Sequence, residues 1–363
     1  MRVNRIFNFN AGPAVLPLEV LEEVQNELIN YKNSGMSILE MSHRSSLYET
    51  INVEAENDIK ELLGLDDEYC VLFMGGGAST QFSMVPLNFL SKEATAGYII
   101  TSTFSEKAVQ EAEKIGKTQI LFSSKEHRFN RVPRPEEIVI DQDLAYVHLT
   151  GNNTIEGTEF FAYPQTGKVP LIADLSSDIL SKPIEAKRFS LIYAGAQKNI
   201  GPGGVTVIIA RKSFLAGRST SLPTMLNYEV HMDNNSLYNT PPVFGVYIIA
   251  KVVKWLKNQG GLIQILNKNK EKAQIIYNVI DDLPEFYQGY ADVSSRSLMN
   301  ITFGLPNENL EKKFVEEAEH QGMVGLQGHR SVGGLRASIY NAMTLDGCSA
   351  LASFMKDFYL NNR

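Results

Sequence analysis

Along this chain the spacing of apolar positions switches between helical and strand periods, and the switching orders the elements. From Pro17 onward, Leu18, Leu21, Val24 and Leu28 recur at helical spacing, with the proline suited to a first turn. A second helix is expected from about Leu47 to Leu63, with Ile51, Ala55, Ile59, Leu62 and Leu63 facing inward. Short, wholly apolar runs then alternate with amphipathic stretches. Tyr69–Met74 reads as a buried strand, followed by a glycine turn and a helix from about Ser79. Gly97–Thr101 precedes a helix from Ser105. Further strands read at Gln119–Phe122, Ala145–Leu149, Pro170–Asp174, Phe189–Tyr193 and Val205–Ala210. Strands alternating with helices imply an α/β fold with a mostly parallel sheet, covered on both faces.

Farther along, the pattern changes. Two helices are expected at Val243–Lys257 and Leu262–Ile280. Beyond Pro284 come a strand at Leu298–Phe303, a helix at Leu310–His320, a strand at Leu335–Ile339 and a terminal helix at Asp346–Tyr359. This reads as a smaller α+β domain. The expected division is a large domain over 17–260 and a small domain made of 1–16 with 261–363.

Composition narrows the class. A chain of 363 residues can bury a large core and divide in two, and 44% hydrophobic with 21% charged residues is ordinary for a soluble globular enzyme. A formal net charge of −7 argues against nucleic acid or an anionic membrane as general partner. An anionic substrate would therefore need local basic residues. No apolar run approaches membrane-spanning length, and Met1–Phe7 has no signal-peptide core. Two cysteines cannot build a disulfide framework or a four-ligand zinc site. Cys70 lies in an apolar run and is expected to be a buried small hydrophobe, which fits a reducing, cytoplasmic setting. His127, His148, His231 and His320 show no metal-ligand spacing and read as structural or surface residues.

The richest chemistry lies in Tyr193-Ala-Gly-Ala-Gln-Lys198-Asn-Ile-Gly-Pro-Gly-Gly204, one lysine in a small-residue turn between two apolar strands. One strand-helix-strand step upstream, another buried strand ends in Asp174. A lysine after a strand is ordinarily a solvated loop residue, and an aspartate ending a strand is often a cap. As a pair at neighbouring strand ends they suit pyridoxal phosphate. The amine can bond the cofactor aldehyde, and the carboxylate can keep the pyridine nitrogen protonated. Ligands of such sheets lie beyond the carboxyl ends of the strands, where Asp174, Lys198 and the turn Gly75-Gly-Gly77 all fall. That turn offers free N–H groups at a helix start, although glycine at strand-helix turns often serves geometry alone. It lacks the pattern of a nucleotide P-loop, and lacks the third glycine of a dinucleotide-binding oxidoreductase. Phe104 follows a strand and could cover a planar ring, although most phenylalanines are core. Ser42-His43-Arg44-Ser45 and Gly328-His329-Arg330, the latter followed by Arg336, are candidate anion sites. Asn239-Thr240-Pro241-Pro242 is a rigid polar turn.

Taken together, several segments resemble the class V aminotransferases, a family of fold-type-I pyridoxal-phosphate enzymes. They include Phe7–Pro13, Met41–Arg44, Gly75–Gly77, Asn153–Gly157, Ala173–Ser177, Ile192–Pro202, Tyr238–Pro242 and Gly328–Ala342, and so span nearly the whole chain. The resemblance implies a seven-stranded, mostly parallel sheet. It implies Lys198 as cofactor-bearing lysine and proton shuttle, and Asp174 as partner of the pyridine nitrogen. Thr154 would donate to the cofactor. Gly77, Ala78 and Ser79 would hold its phosphate, with Gln197 beside them. Asn239 and Thr240 would reach the cofactor phosphate of the other subunit, in a homodimer with shared sites. Arg336 would hold the substrate α-carboxylate; His43, Arg44, His329 and Arg330 would take a distal phosphate or carboxylate. The implied reaction is reversible amino transfer from L-glutamate to 3-phosphohydroxypyruvate, giving O-phospho-L-serine and 2-oxoglutarate in serine biosynthesis. A phosphorylated threonine derivative of pyridoxine synthesis is a further implied substrate. Two positions depart from the family's pattern: Phe104 stands where tryptophan is common, and Ala78-Ser79 where some members carry arginine. Alanine–glyoxylate transfer and cysteine desulfuration remain alternatives within the family; the second needs a loop cysteine near the site.

Overall fold

The computed structural model describes residues 5–217 and 221–363; residues 1–4 of the expected small domain lie outside the described residues. Seven strands form the central sheet. They are β1 (Tyr69–Met74), β2 (Thr95–Ile100), β3 (Lys117–Ser123), β4 (Val147–Thr150), β5 (Leu171–Asp174), β6 (Leu191–Gly195) and β7 (Thr206–Arg211), in the order β1-β7-β6-β5-β4-β2-β3. β7 runs antiparallel to both neighbours, and the other pairs are parallel. The reason is length. A parallel crossover takes a dozen or more residues, and the connection from Gly195 to Thr206 is too short for one.

Both faces of the sheet are covered, so its strands are apolar at successive positions and divide them by alternation. Val71, Phe73, Ile192, Ala194, Val207 and Ile209 point into one core. Cys70, Leu72, Leu191, Tyr193, Ile208 and Ala210 point into the other. The first core is closed by helices α1 (Leu18–Glu27) and α2 (Ser46–Leu63) and by the helix Val243–Asn258. The second is closed by α3 (Gly77–Phe89) and α4 (Thr103–Glu113).

A separate core belongs to a three-stranded antiparallel sheet, Gln288–Gly289, Asn300–Gly304 and Leu335–Ser338, with helices Glu308–His320 and Leu345–Asn362. Phe9 from the N-terminal segment joins it. The helix Gly261–Asp282 serves both units: Leu262 and Ile265 pack in the large core, and Ala273, Ile276 and Ile280 in the small one.

Several expectations shift. Leu18 does not face inward but is 40% exposed; Val20 and Val24 carry the burial of α1, and Leu21 and Leu28 are partly covered. α3 begins two residues earlier than Ser79 because Gly76, at φ 94°, turns the chain into the helix. α4 begins at Thr103, not Ser105. Ser102 is its N-cap, and the Ser105 hydroxyl closes a capping box. The short helix Tyr228–Asp233 and the two-residue strands Phe7–Asn8 and Met323–Val324 carry too little periodicity to be read from sequence.

Candidate active site

Strand register brings the site together. Thr206 of β7 pairs with Met74 on one side and Gly195 on the other. The glycine turn after β1 and the lysine turn after β6 therefore leave the same edge. Asp174 ends β5, a short hairpin over Asn152–Glu159 follows β4, and α4 follows β2. All five connections meet beyond the carboxyl ends of the strands.

Lys198 points its Nζ at the buried hairpin residue Thr154, donating to Oγ1 at 2.6 Å. Burial pulls the amine down to about 8, although Asp174 opposes that shift. The same Nζ lies 5.4 Å from the ring centroid of Phe104, in the first turn of α4. The N-terminal segment lies against the lysine. A Cβ on Gly12, where φ is +141°, would come 3.2 Å from Lys198 Cγ. Ala14 N donates to the Gln197 carbonyl at 2.9 Å, fixing the residue before the lysine.

Asp174 is 5% exposed. Its Oδ1 accepts from Ser176 N at 2.9 Å and Ser176 Oγ at 2.6 Å, while Ser176 Oγ accepts from Gly195 N at 3.0 Å. The carboxylate is thus aimed by the strand that carries the lysine turn. Among the described residues no hydrogen bond reaches Oδ2. Burial pushes the group up; Lys198 and Ser176 pull it back.

α3 starts without a side-chain cap, so the N–H groups of Gly77, Ala78 and Ser79 are open to an anion, helped by the helix dipole. Gly76 and Gly77 sit at φ 94° and 70°, which only glycine adopts freely. Asn239 and Thr240 are exposed and line a cavity of about 220 Å³ that also touches Gly75 and Thr80 of their own chain.

Arg336 reaches in from the small sheet. One guanidinium nitrogen donates to the Thr154 carbonyl at 3.2 Å, and its buried Nε has no protein partner. Around the mouth stand His329, Arg330 and Lys107; burial, then Arg336, Arg330 and Lys107, hold His329 below the usual imidazole range. Arg330 and Lys107 form no ion pair among the described residues. Arg44 is exposed, His43 Nε2 is buried without a partner, and no hydrogen bond or ion pair joins either residue to Lys198, Arg336 or His329 among the described residues. The structure thus brings Lys198, Asp174, Thr154, Gln197, Phe104, Gly77, Ala78, Ser79, Arg336 and the His329-Arg330 loop to one cleft, and shows no bond from His43 or Arg44 to it among the described residues.

Three participants escaped the sequence reading. Ser176 and Glu156 sit inside quoted segments, yet only the tertiary contacts reveal their roles, and Lys107 shows itself only by lying 5.5 Å from the Phe104 ring. His148, read as structural, is buried against Tyr193, Nε2 to hydroxyl 2.8 Å.

These features fit pyridoxal phosphate: an amine beside a buried carboxylate with a spare oxygen, an aromatic face, and open N–H groups for a phosphate. The chain matches the class-V aminotransferase family model over residues 6–351, and it belongs to that family. Its cofactor is pyridoxal phosphate, and it is a transaminase. Its relatives narrow this further, to phosphoserine aminotransferases. The chain is 52% identical to that of Halalkalibacterium halodurans over 99% of this chain and 100% of the relative. It is 53% identical to that of Niallia circulans over 98% of each. Among solved structures it is similar to phosphoserine aminotransferase from Bacillus circulans subsp. alkalophilus, at TM-score 0.98 and 52% identity over 99% of this chain and 100% of that one. It is also similar to the pyridoxal-phosphate-bound enzyme of Trichomonas vaginalis, at TM-score 0.91 and 36% identity over 97% and 100%.

Proposed function

We propose that this chain transfers the amino group of L-glutamate to 3-phosphohydroxypyruvate, reversibly, as a phosphoserine aminotransferase of serine biosynthesis. The observation that carries the reading is the charge layout of the cleft. One arginine, Arg336, stands beside Lys198, and two further cations, Arg330 and Lys107, stand at the mouth around the imidazole of His329. A substrate with an α-carboxylate and a distal anion matches both. Glutamate and phosphoserine share the first and differ in the second.

The bound cofactor supplies an electron sink for the substrate carbanion. The protein does the rest. Lys198, whose amine burial pulls down to about 8, would take the proton from the substrate Cα. Thr154 orients that amine, and the Asp174 carboxylate, aimed by Ser176, would keep a proton on the ring nitrogen. Phe104 covers one ring face. The amides of Gly77, Ala78 and Ser79, with Gln197 beside them, hold the cofactor phosphate. Arg336 fixes the carboxylate, which orients the Cα–H bond.

The active form is a homodimer with shared sites, in the cytoplasm. One feature supports shared sites: Asn239 and Thr240 are exposed at a rigid Pro241-Pro242 turn. Small-molecule substrates are the remaining partners, and the phosphorylated threonine derivative of pyridoxine synthesis is a candidate among them. Desulfuration finds no support: Cys70 and Cys348 are both buried and pushed up to about 12.

The test is a half-reaction screen in which cofactor absorbance follows each amino donor. O-phospho-L-serine and L-glutamate should convert readily and L-alanine slowly. Equal rates for alanine and phosphoserine would refute the distal-anion reading.

A further inference from the structure

Glu156 lies in the turn of the hairpin that holds Thr154, only 1% exposed. Its Oε1 accepts from Thr103 N at 3.0 Å and Thr103 Oγ1 at 3.1 Å, the residue before Phe104. Among the described residues its buried Oε2 has no hydrogen-bond partner, and neither has Nε of Arg336. The two groups attract each other without touching, and Arg336 is anchored two residues away, on the Thr154 carbonyl. One short turn therefore contacts the lysine, the carboxylate-binding arginine and the helix that presents the stacking ring.

We propose that Glu156 is a positioning residue for the carboxylate subsite: it balances the charge of Arg336 while the subsite is empty, and takes up a proton when a substrate carboxylate replaces it. The inference rests on Arg336 being the carboxylate site, as read above. The balance is simple. The incoming carboxylate becomes the counter-ion of Arg336, a proton from solvent joins Glu156 Oε2, and no buried anion is left unpaired. The proton is available because burial already pushes Glu156 up to about 7, against the lowering pull of Thr103 and Arg336. Among the described residues, three ionisable groups interact electrostatically with Glu156. They are Arg336 from the small sheet, Lys198 from the turn after β6, and Tyr290, whose hydroxyl donates to the Arg128 carbonyl at 2.6 Å. The pKa of Tyr290 is raised by burial, so it stays neutral near pH 7. In the cofactor-loaded protein the Lys198 nitrogen is committed to the cofactor, and its share is common to the wild type and to variants that alter Glu156 alone.

The sign follows from linkage. Below pH 7 Glu156 already carries its proton and carboxylates bind without uptake. Above pH 7 binding must draw a proton, so affinity falls as pH rises, by up to about tenfold per pH unit. The probe is glutarate, an unreactive dicarboxylate, titrated calorimetrically into the cofactor-loaded protein at pH 6 to 8.5, in buffers of differing ionisation enthalpy. Glu156→Gln keeps an oxygen for Thr103 and removes the titration. The wild type should take up more protons than Glu156→Gln at pH 7.5, by on the order of half a proton per site. The variant should bind glutarate more tightly than the wild type at pH 8.5. Equal proton uptake in both proteins would overturn the proposal.

A second variant guards against loss of the first. Thr103→Val removes one donor to the charged carboxylate, so the pH at which affinity begins to fall should move upward. A break that stays in place would also overturn the proposal. If glutarate fails to bind the wild type at any pH, the carboxylate-subsite reading falls; if it binds and Glu156→Gln changes nothing, only the role of Glu156 falls.

Discussion

Lys198 Nζ and Thr154 Oγ1 meet at 2.6 Å, joining the lysine turn after β6 to the hairpin after β4 across the intervening strand β5. The bond matters because the lysine amine must be both free of a tight carboxylate and aimed. Asp174 is close enough to influence its charge but forms no ion pair with it among the described residues, so Thr154 supplies the aim. The same residue's carbonyl holds Arg336. The proton-moving group and the substrate-binding group thus share one support.

This relationship makes Lys198 the residue whose loss is most specific. Borohydride reduction of the cofactor-loaded protein should fix a pyridoxyl group on Lys198 and on no other lysine. Lys198→Ala should lose roughly 10²–10⁴-fold in rate, as expected for a positioned base. Peptide mass mapping checks the label, and a label elsewhere counts against the assignment.

Phe104 should behave as a ring cover rather than as core. It is partly exposed, with the amines of Lys198 and Lys107 at 5.4 and 5.5 Å from its ring centroid. Phe104→Ala should weaken cofactor retention by about 0.5–1.5 kcal/mol beyond lost area, while Phe104→Trp should be tolerated. Cofactor release during dialysis, measured by absorbance, decides it. Unfolding of Phe104→Trp would mark the site as plain core.

Arg336 and Arg330 should separate the two ends of the substrate. Arg336→Lys replaces a fork by a point charge and should slow both the glutamate and the phosphoserine half-reactions, by roughly 2–5 kcal/mol. Arg330→Ala should slow phosphoserine more than glutamate and leave alanine nearly unchanged, because a phosphate dianion draws more from each cation. Single-turnover rates for the three donors provide the comparison. Equal losses for phosphoserine and alanine would favour a structural role for the His329-Arg330 loop.

Shared sites predict complementation. Mixing inactive Lys198→Ala chains with chains carrying Asn239→Ala and Thr240→Ala should restore part of the activity, since some mixed dimers hold one intact site. The cavity that Asn239 and Thr240 share with Gly75 and Thr80 of their own chain gives the opposing outcome a structural basis. No recovery in proven heterodimers would place both residues on their own chain's site.

His148 predicts an acid limit to stability. Burial pushes its imidazole down to about 3, so the folded chain keeps it neutral where the unfolded chain binds a proton. Between pH 6.5 and 3 the unfolded state therefore holds more protons, and stability falls as pH falls, by up to about 1.4 kcal/mol per pH unit. His148→Gln retains a partner for Tyr193 and should flatten that slope. Denaturant midpoints at pH 7, 5.5 and 4.5 measure it; identical slopes would exonerate His148.

The sequence by itself determined the order of the strands in the chain, the strand ends at Asp174 and near Lys198, and the glycine turn before α3. Each is a local property: an apolar run, a breaker, a small-residue turn. The resemblance carried by Asn153–Gly157 and Gly328–Ala342 extended this to Thr154 and Arg336. What only the tertiary structure decided are the relations across strands. β7 turns antiparallel because its connection is short. Ser176 aims Asp174 through Gly195. Glu156 meets the start of α4, fifty-three residues away in sequence. Leu18 faces outward although its spacing matches the inward stripe. Periodicity reports which residues share a face of one element, but not which face another element covers. That is set by packing between segments distant in the chain.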